Sequence, residues 1–327
     1  MRATANIYPH ANTIVAIEES RLLKQFEYEV LYNANGLQAT LDELNSINYF
    51  RSYKIAQPHN YNEILDELME DTFQLIRDIA PTELIWRIFA LYYDIHNMKL
   101  MVKERFLGRR LGSLALSYGS YSLPTIRSAA VRESDNILEN EILTAGYFEA
   151  LHVKDMYDID FVLDKTYFRT LKDMAGQFKI PEIAAFVVER VDLYNASAYF
   201  QAMATGSPEE YFAKAFSDQG SHALEEWQAY VFSDRREKFG LWQKYRPIWQ
   251  NMENRSDLFA DLDVLIDNHL IGKTKCAKLL PFGVVPICAY FFNKLMEMKN
   301  IKILLTGKEN FYGTAEIRRR MRIPYEL

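Results

Sequence analysis

Three times along this chain of 327 residues an acidic residue stands three positions before an asparagine, each time within a long stretch of helical periodicity: Asp94/Asn97, Asp192/Asn195 and Glu297/Asn300. The asparagines are 98 and 105 residues apart, and an aspartate precedes each at a near-constant interval: Asp66 by 31, Asp164 by 31 and Asp267 by 33. Asp42/Asn45 and Glu133/Asn136 share the short spacing but have no aspartate 31 residues earlier. Self-similarity at a fixed period marks a repeated structural unit, here a module of about a hundred residues used three times. The module boundaries are set at 1–112, 113–212 and 213–327. A triplicated helical module suits a protein that serves as a shape more than one that performs a reaction.

The rest of the chain agrees with an all-α fold. Glycine and proline are sparse, 13 and 10, against 21 Tyr and 20 Phe. Few breakers and many large apolar residues favour long packed helices over short strands and turns. Ile64, Leu65, Leu68, Phe73, Leu75 and Ile76 predict a helix over Tyr61–Ile79, stopped by Ala80 and Pro81. A long helix then starts at Pro81 or Thr82, with Leu84, Ile88, Leu91, Ile95, Met98 and Val102 as its inward stripe. Residues 108–124, with three glycines and four serines, read as a linker, and helical signals resume near Ser134. Pro181 opens another long helix, where its missing N–H costs nothing. Ser207, Pro208 and Glu210 spell a capping box. In the last third, helices are expected over Leu258–Ile271 and Ala289–Leu305, separated by a Pro/Gly break.

The net charge of −6 speaks against a nucleic-acid backbone as partner. Two cysteines, Cys276 and Cys288, cannot staple a chain this size, so a reducing, cytoplasmic setting is expected. No basic segment followed by an apolar run opens the chain, and no secretory signal is expected. The longest nearly uncharged stretch, Leu279–Phe292, would cover about 21 Å as a helix, short of the ~30 Å hydrocarbon core. Direct membrane insertion is not expected.

An acid and an amide three apart share a helix face. Two readings follow. Each pair bonds the backbone of a neighbouring helix end and fixes its packing, or three carboxylates supply a catalytic or metal site. The first is preferred, because equivalent positions in three modules point into three cores rather than one pocket. Other chemistry is missing. Residues 271–274 (IGKT) resemble the end of a phosphate-binding loop, but Asp267 occupies the place of its first glycine. Among six histidines only His152 lies three after a glutamate, Glu149, whereas a helical di-iron site needs two such pairs. There is no HExxH and no GxSxG. No catalytic residue, cofactor or metal ligand is assigned.

Two basic clusters remain, one around Arg105, Arg109 and Arg110 and one around Arg318, Arg319 and Arg320. They read either as helix C-terminal and solvated charge or as docking faces for acidic protein partners.

Several segments carry a resemblance. YPHANTIVAIEESRLL (8–23), YYDIHNMKLMVKERFLG (92–108), LDKTYFRTL (163–171) with VDLYNASAYFQAM (191–203), and residues 281–325 resemble, in that order, the C subunit of bacterial and archaeal V/A-type ATPases, the counterpart of the d subunit in eukaryotic V-ATPases. The resemblance covers nearly the whole chain. It implies three helical domains around a pseudo-threefold axis, forming a funnel. It implies a non-catalytic rotor piece, a socket between the shaft made by the D and F subunits and the membrane rotor ring. Such a piece transmits torque for H+ or Na+ transport at the cytoplasmic face of the membrane. The alternatives kept open are a helical adaptor unrelated to ATPases and an all-α metal-dependent enzyme. The third module departs from the other two by carrying Glu297 in place of Asp, and residues 113–124 carry no family signature.

Overall fold

A computed structural model describes residues 7–51, 53, 60–132, 138–233, 235–250, 258–280 and 282–325. The expected resumption of helix at Ser134 and the pair Glu133/Asn136 lie outside the described residues. Those that are described form helices, short 3-10 turns and loops, with no strand among them. The all-α expectation is met.

The chain divides into two compact units. A terminal unit joins residues 1–85 to 248–327, and a central unit runs from Trp86 to Pro247. The terminal unit begins with α1 (Pro9–Ser20), α2 (Gln25–Asn33), α3 (Gly36–Ser46) and α4 (Tyr61–Ile79). Next come α5 (Leu84–Leu107), α6 (Leu123–Val131), α7 (Glu141–Leu151), α8 (Met156–Gln177), α9 (Pro181–Ala202), α10 (Pro208–Ala215), α11 (Leu224–Val231) and α12 (Gly240–Lys244). The chain closes with α13 (Arg246–Trp249), α14 (Leu258–Thr274), α15 (Val284–Glu309) and α16 (Thr314–Arg320).

Local chemistry accounts for most boundaries. In α4, Tyr61, Ile64, Leu65, Leu68, Thr72, Phe73 and Ile76 are buried at three- and four-residue steps, one face of a helix. Glu63 in its first turn and Arg77 in its last complement the helix dipole. Asn140 caps α7 by accepting the Leu143 N–H at 2.8 Å, and Asp155 caps α8 by accepting that of Tyr157 at 2.9 Å.

Four expectations need correction. Helix α5 starts at Leu84, two to three residues late, because Pro81 to Glu83 form a turn. Helix α15 starts at Val284 and contains Pro286, which sits in the first turn where no N–H is required. Residues 108–124 are not a bare linker: α6 already begins at Leu123, capped by Ser122. Helix α10 begins at Pro208 as expected, but Ser207 makes no capping bond.

In the terminal unit, α15 packs against α1, α3 and α4. Leu23, Tyr28, Leu31, Leu41, Leu44 and Phe50 from early in the chain share one core with Met298, Ile301, Leu304 and Leu305 from late in it. The central unit holds an aromatic core around Trp227 and Phe212, both fully buried, with Phe239, Trp242 and Tyr199 packed nearby at ring separations of 5.3–5.8 Å. In the same unit α7 and α8 meet so closely that a Cβ on Gly146 would lie 1.9 Å from Thr166 Oγ1. Only a hydrogen fits at that crossing.

Candidate functional site

The three acid–amide pairs fall on α5, α9 and α15, with all six side chains buried. Burial makes their partners the question, since an unpaired buried amide or carboxylate costs free energy that a bound one does not. The asparagines answer it identically. Asn97 donates from Nδ2 to the Leu116 carbonyl at 2.8 Å and accepts the Leu116 N–H on Oδ1 at 3.0 Å. Asn195 does the same to Ser217, at 2.9 and 2.8 Å. Asn300 does the same to Arg322, at 3.0 and 2.8 Å. In each case one amide satisfies both polar groups of one residue's backbone, as a strand neighbour would, 19 to 22 residues further along the chain.

The two central acids extend this clamp. Asp192 accepts the Ser221 N–H at 2.8 Å and its hydroxyl at 2.7 Å. Asp94 accepts the Tyr121 N–H at 3.1 Å and is also bonded by Ser120. Both loops pass the carboxylate at a glycine. A Cβ on Gly119 would lie 2.4 Å from Asp94 Oδ1, and one on Gly220 2.5 Å from Asp192 Oδ1. Burial pushes the Asp94 carboxyl up to about 7, outweighing the donors that favour its charge, and raises Asp192 as well.

The third acid works differently. Glu297 accepts the N–H of Leu23 at 2.5 Å and pairs with Lys294 at 2.6 Å. The leucines that close the 8–23 motif thereby acquire a reason: Leu22 and Leu23 are buried, and the Leu23 backbone is fastened to α15.

Two of the upstream aspartates, Asp164 and Asp267, make different contacts. Asp164 bonds Lys99 at 2.7 Å, beside Asp160, which holds both Lys99 and Lys103. Burial raises Asp164 even against this lysine. Asp267 instead bonds Lys299 at 2.9 Å and Arg322 at 2.7 Å. The near-constant interval therefore does not correspond to one contact repeated at Asp164 and Asp267.

The basic residues differ between units. Arg105, Arg109 and Arg110 are exposed at the end of α5, beside Phe106 and Leu107, which are 41% and 45% exposed. Arg318 lies 2.8 Å from Glu29 and over the Tyr32 ring, Arg319 3.1 Å from Asp261, and Arg320 3.0 Å from Glu316.

Sequence reasoning missed the clamped backbones, the two glycines, and a fourth clamp: Asn12 holds the Gly283 carbonyl and N–H at 2.9 Å each. A signal for the glycines existed. Gly119-Ser120 and Gly220-Ser221 are the same dipeptide, about one module apart, each in a segment of turn-forming residues. The phosphate-loop likeness fails in the structure, since Gly272 and Lys273 lie within α14. Among the described residues no three His, Cys, Asp or Glu side chains converge as a metal site would require. No helix among them is long and apolar enough to cross a membrane.

With the clamps in place, comparison with known proteins decides the family. The family model of the ATP synthase (C/AC39) subunit matches residues 11–320. The chain belongs to the ATP synthase C/AC39 subunit family. The C subunit of the V-type sodium ATPase of Enterococcus hirae is 23% identical to this family member, covering 98% of the chain and 99% of the relative. The C subunit of the A-type ATP synthase of Methanococcoides burtonii is also 23% identical, over 92% and 90%. That of Methanocaldococcus jannaschii is 21% identical, over 95% and 85%. The span matched by the C/AC39 family includes all three acid–amide pairs.

Proposed function

We propose that this C/AC39 family member is a non-catalytic central-stalk piece of a V/A-type rotary ATPase. It works as a socket between the shaft of D and F subunits and the membrane rotor ring, at the cytoplasmic face of the membrane. The same proposal divides the chain into three related modules, 1–112, 113–212 and 213–327, arranged as a funnel about a pseudo-threefold axis. The observation that carries it is the threefold recurrence of the amide clamp on α5, α9 and α15. A part that transmits torque must resist bending at its joints. Each clamp replaces a sliding apolar contact with two directional bonds to backbone, which fixes one loop against one helix. Interfaces that must not slip under load are large, typically about 2,000 Å² or more. The arginines beside exposed Phe106 and Leu107 offer one such surface, with guanidinium forks suited to carboxylates of a partner.

The test is reconstitution. A V/A-type ATPase assembled without this chain is expected to hydrolyse ATP without moving H+ or Na+, and adding the chain is expected to restore transport. Replacing Arg105, Arg109 and Arg110 with Glu is expected to block that rescue while leaving the melting temperature of the isolated chain unchanged. ATP hydrolysis by the pure chain at enzyme-like turnover, or coupled transport in its absence, would overturn the proposal. Copurification with a partner outside the ATPase would favour the adaptor alternative.

A further inference from the structure

We propose that the apolar tip formed by Leu279, Leu280 and Phe282 is a contact for an anionic phospholipid surface, separate from any protein interface of the chain. Leu279 is 83% exposed and Phe282 58%, with Leu280 at 37%. Three large apolar side chains exposed within four positions are not ordinary scattered exposure. The end of the tip is anchored. Asn12, itself 6% exposed, takes both backbone groups of Gly283, and Gly283 sits at φ +122°, where a side chain would be strained. The chain is therefore held at a set angle immediately after Phe282.

The charge carried by the segment itself indicates the occupant. From residue 268 to 296 the sequence contains no Asp or Glu, while lysines stand at 273, 275, 278 and 294. In a chain of net charge −6 this is the longest run without an acid. Lys275 is exposed beside the tip, whereas Lys294 is engaged by Glu297. The run holds no arginine. An ammonium on a flexible stem suits the shifting phosphates of a lipid headgroup layer, whereas an arginine fork suits the fixed carboxylate of a protein. Exposed Leu, Leu and Phe with lysine alongside have the make-up of an interfacial anchor, apolar groups entering the acyl boundary and cations remaining at the headgroups. The arginine patch at the end of α5 has the other composition. No described helix could span the bilayer, so the contact would be peripheral.

Flotation of the full chain with vesicles tests this without any other ATPase component present. With vesicles of which roughly a third is phosphatidylglycerol, the chain is expected to float, and with pure phosphatidylcholine it is expected to remain unbound. The Leu279→Ser/Phe282→Ser double variant and the Lys275→Glu variant are each expected to bind at least about fivefold more weakly, because one removes apolar insertion and the other reverses a charge at the surface. Both sets of substitutions fall on exposed positions, and circular dichroism melting is expected to match the parent. Failure of the parent to float on anionic vesicles, or flotation of both variants like the parent, overturns the proposal. Capture of the chain by a detergent-solubilised rotor ring that is lost in the same variants, without vesicle binding, would overturn it in favour of a protein partner for the tip. Vesicle flotation is read without any transport assay, so the two proposals fail separately.

Discussion

In the central unit Asp94 and Asp192 hold backbone 27 and 29 residues further along the chain; in the terminal unit Glu297 holds Leu23, 274 residues earlier in the chain. The amides beside them do not differ at all. Each asparagine takes the backbone N–H and C=O of one residue, whether that residue is Leu116, Ser217 or Arg322. The amide needs only a length of chain with both polar groups turned toward it, so any residue but proline serves there. The carboxylate needs space. Three residues after the clamped one, the central loops carry Gly119 and Gly220 against a short Asp, and the terminal segment carries Tyr325. With a tyrosine there, the acid is one methylene longer and bonds a different segment. The Asp-to-Glu difference is thus matched by a change of partner.

The contrast between the units breaks most directly at the glycines. Gly220→Ala places a methyl group 2.5 Å from Asp192 Oδ1 and must expel a buried carboxylate from both of its Ser221 bonds. A loss of about 2–4 kcal/mol is expected in urea unfolding. A loss under about half a kcal/mol would mean that the loop is not held against the acid. The amides sharpen the other half. Asn195→Ala and Asn300→Ala each orphan a buried N–H and C=O and should cost similar amounts, about 1–3 kcal/mol. If one costs several times the other, the clamps are not equivalent despite their matching distances.

A smaller effect separates the acids by pH. The Asp94 carboxyl titrates near 7 in the folded chain, against 3.8 ordinarily. Between about pH 4 and 7 the folded state therefore binds a proton that the unfolded state has released. Stability must fall as pH rises through this window, by at most about 1.4 kcal/mol per pH unit from this group. Asp192 is shifted in the same direction. Urea midpoints measured across the window should show a shallower slope for Asp94→Asn than for the parent. Parallel curves would contradict the burial assigned to Asp94.

These same residues mark where sequence ceases to be informative. Helix α4 was legible to the residue, because an uninterrupted apolar stripe meets Ala80 and Pro81 at its end. The recurrence of the acid–amide pairs was legible, and the backbone of a neighbouring helix end was the expected partner. Which backbone was not legible. Leu116 and Ser217 have nothing in common as side chains, since the amide reads only main chain. The glycines were present but sat among Gly and Ser residues that also mark ordinary turns, and only contact with a buried acid distinguishes them. Pro286 shows the opposite error. A proline usually announces a stop, yet in a first turn it is neutral, and sequence alone does not say which turn it occupies.

The bond between Glu297 and Leu23 has a consequence for biosynthesis. While the polypeptide emerges from a ribosome, everything the central unit needs is available before α14 is made. The segment up to residue 85 has no such freedom, because α15 (Val284–Glu309), on which α1, α3 and α4 pack, is translated only after the whole central unit. These residues must wait, with Leu23, Tyr28 and Phe50 uncovered, until the central unit and α14 have been made. A nascent chain stalled before residue 284 should accordingly be protease-resistant in its middle and open at its beginning.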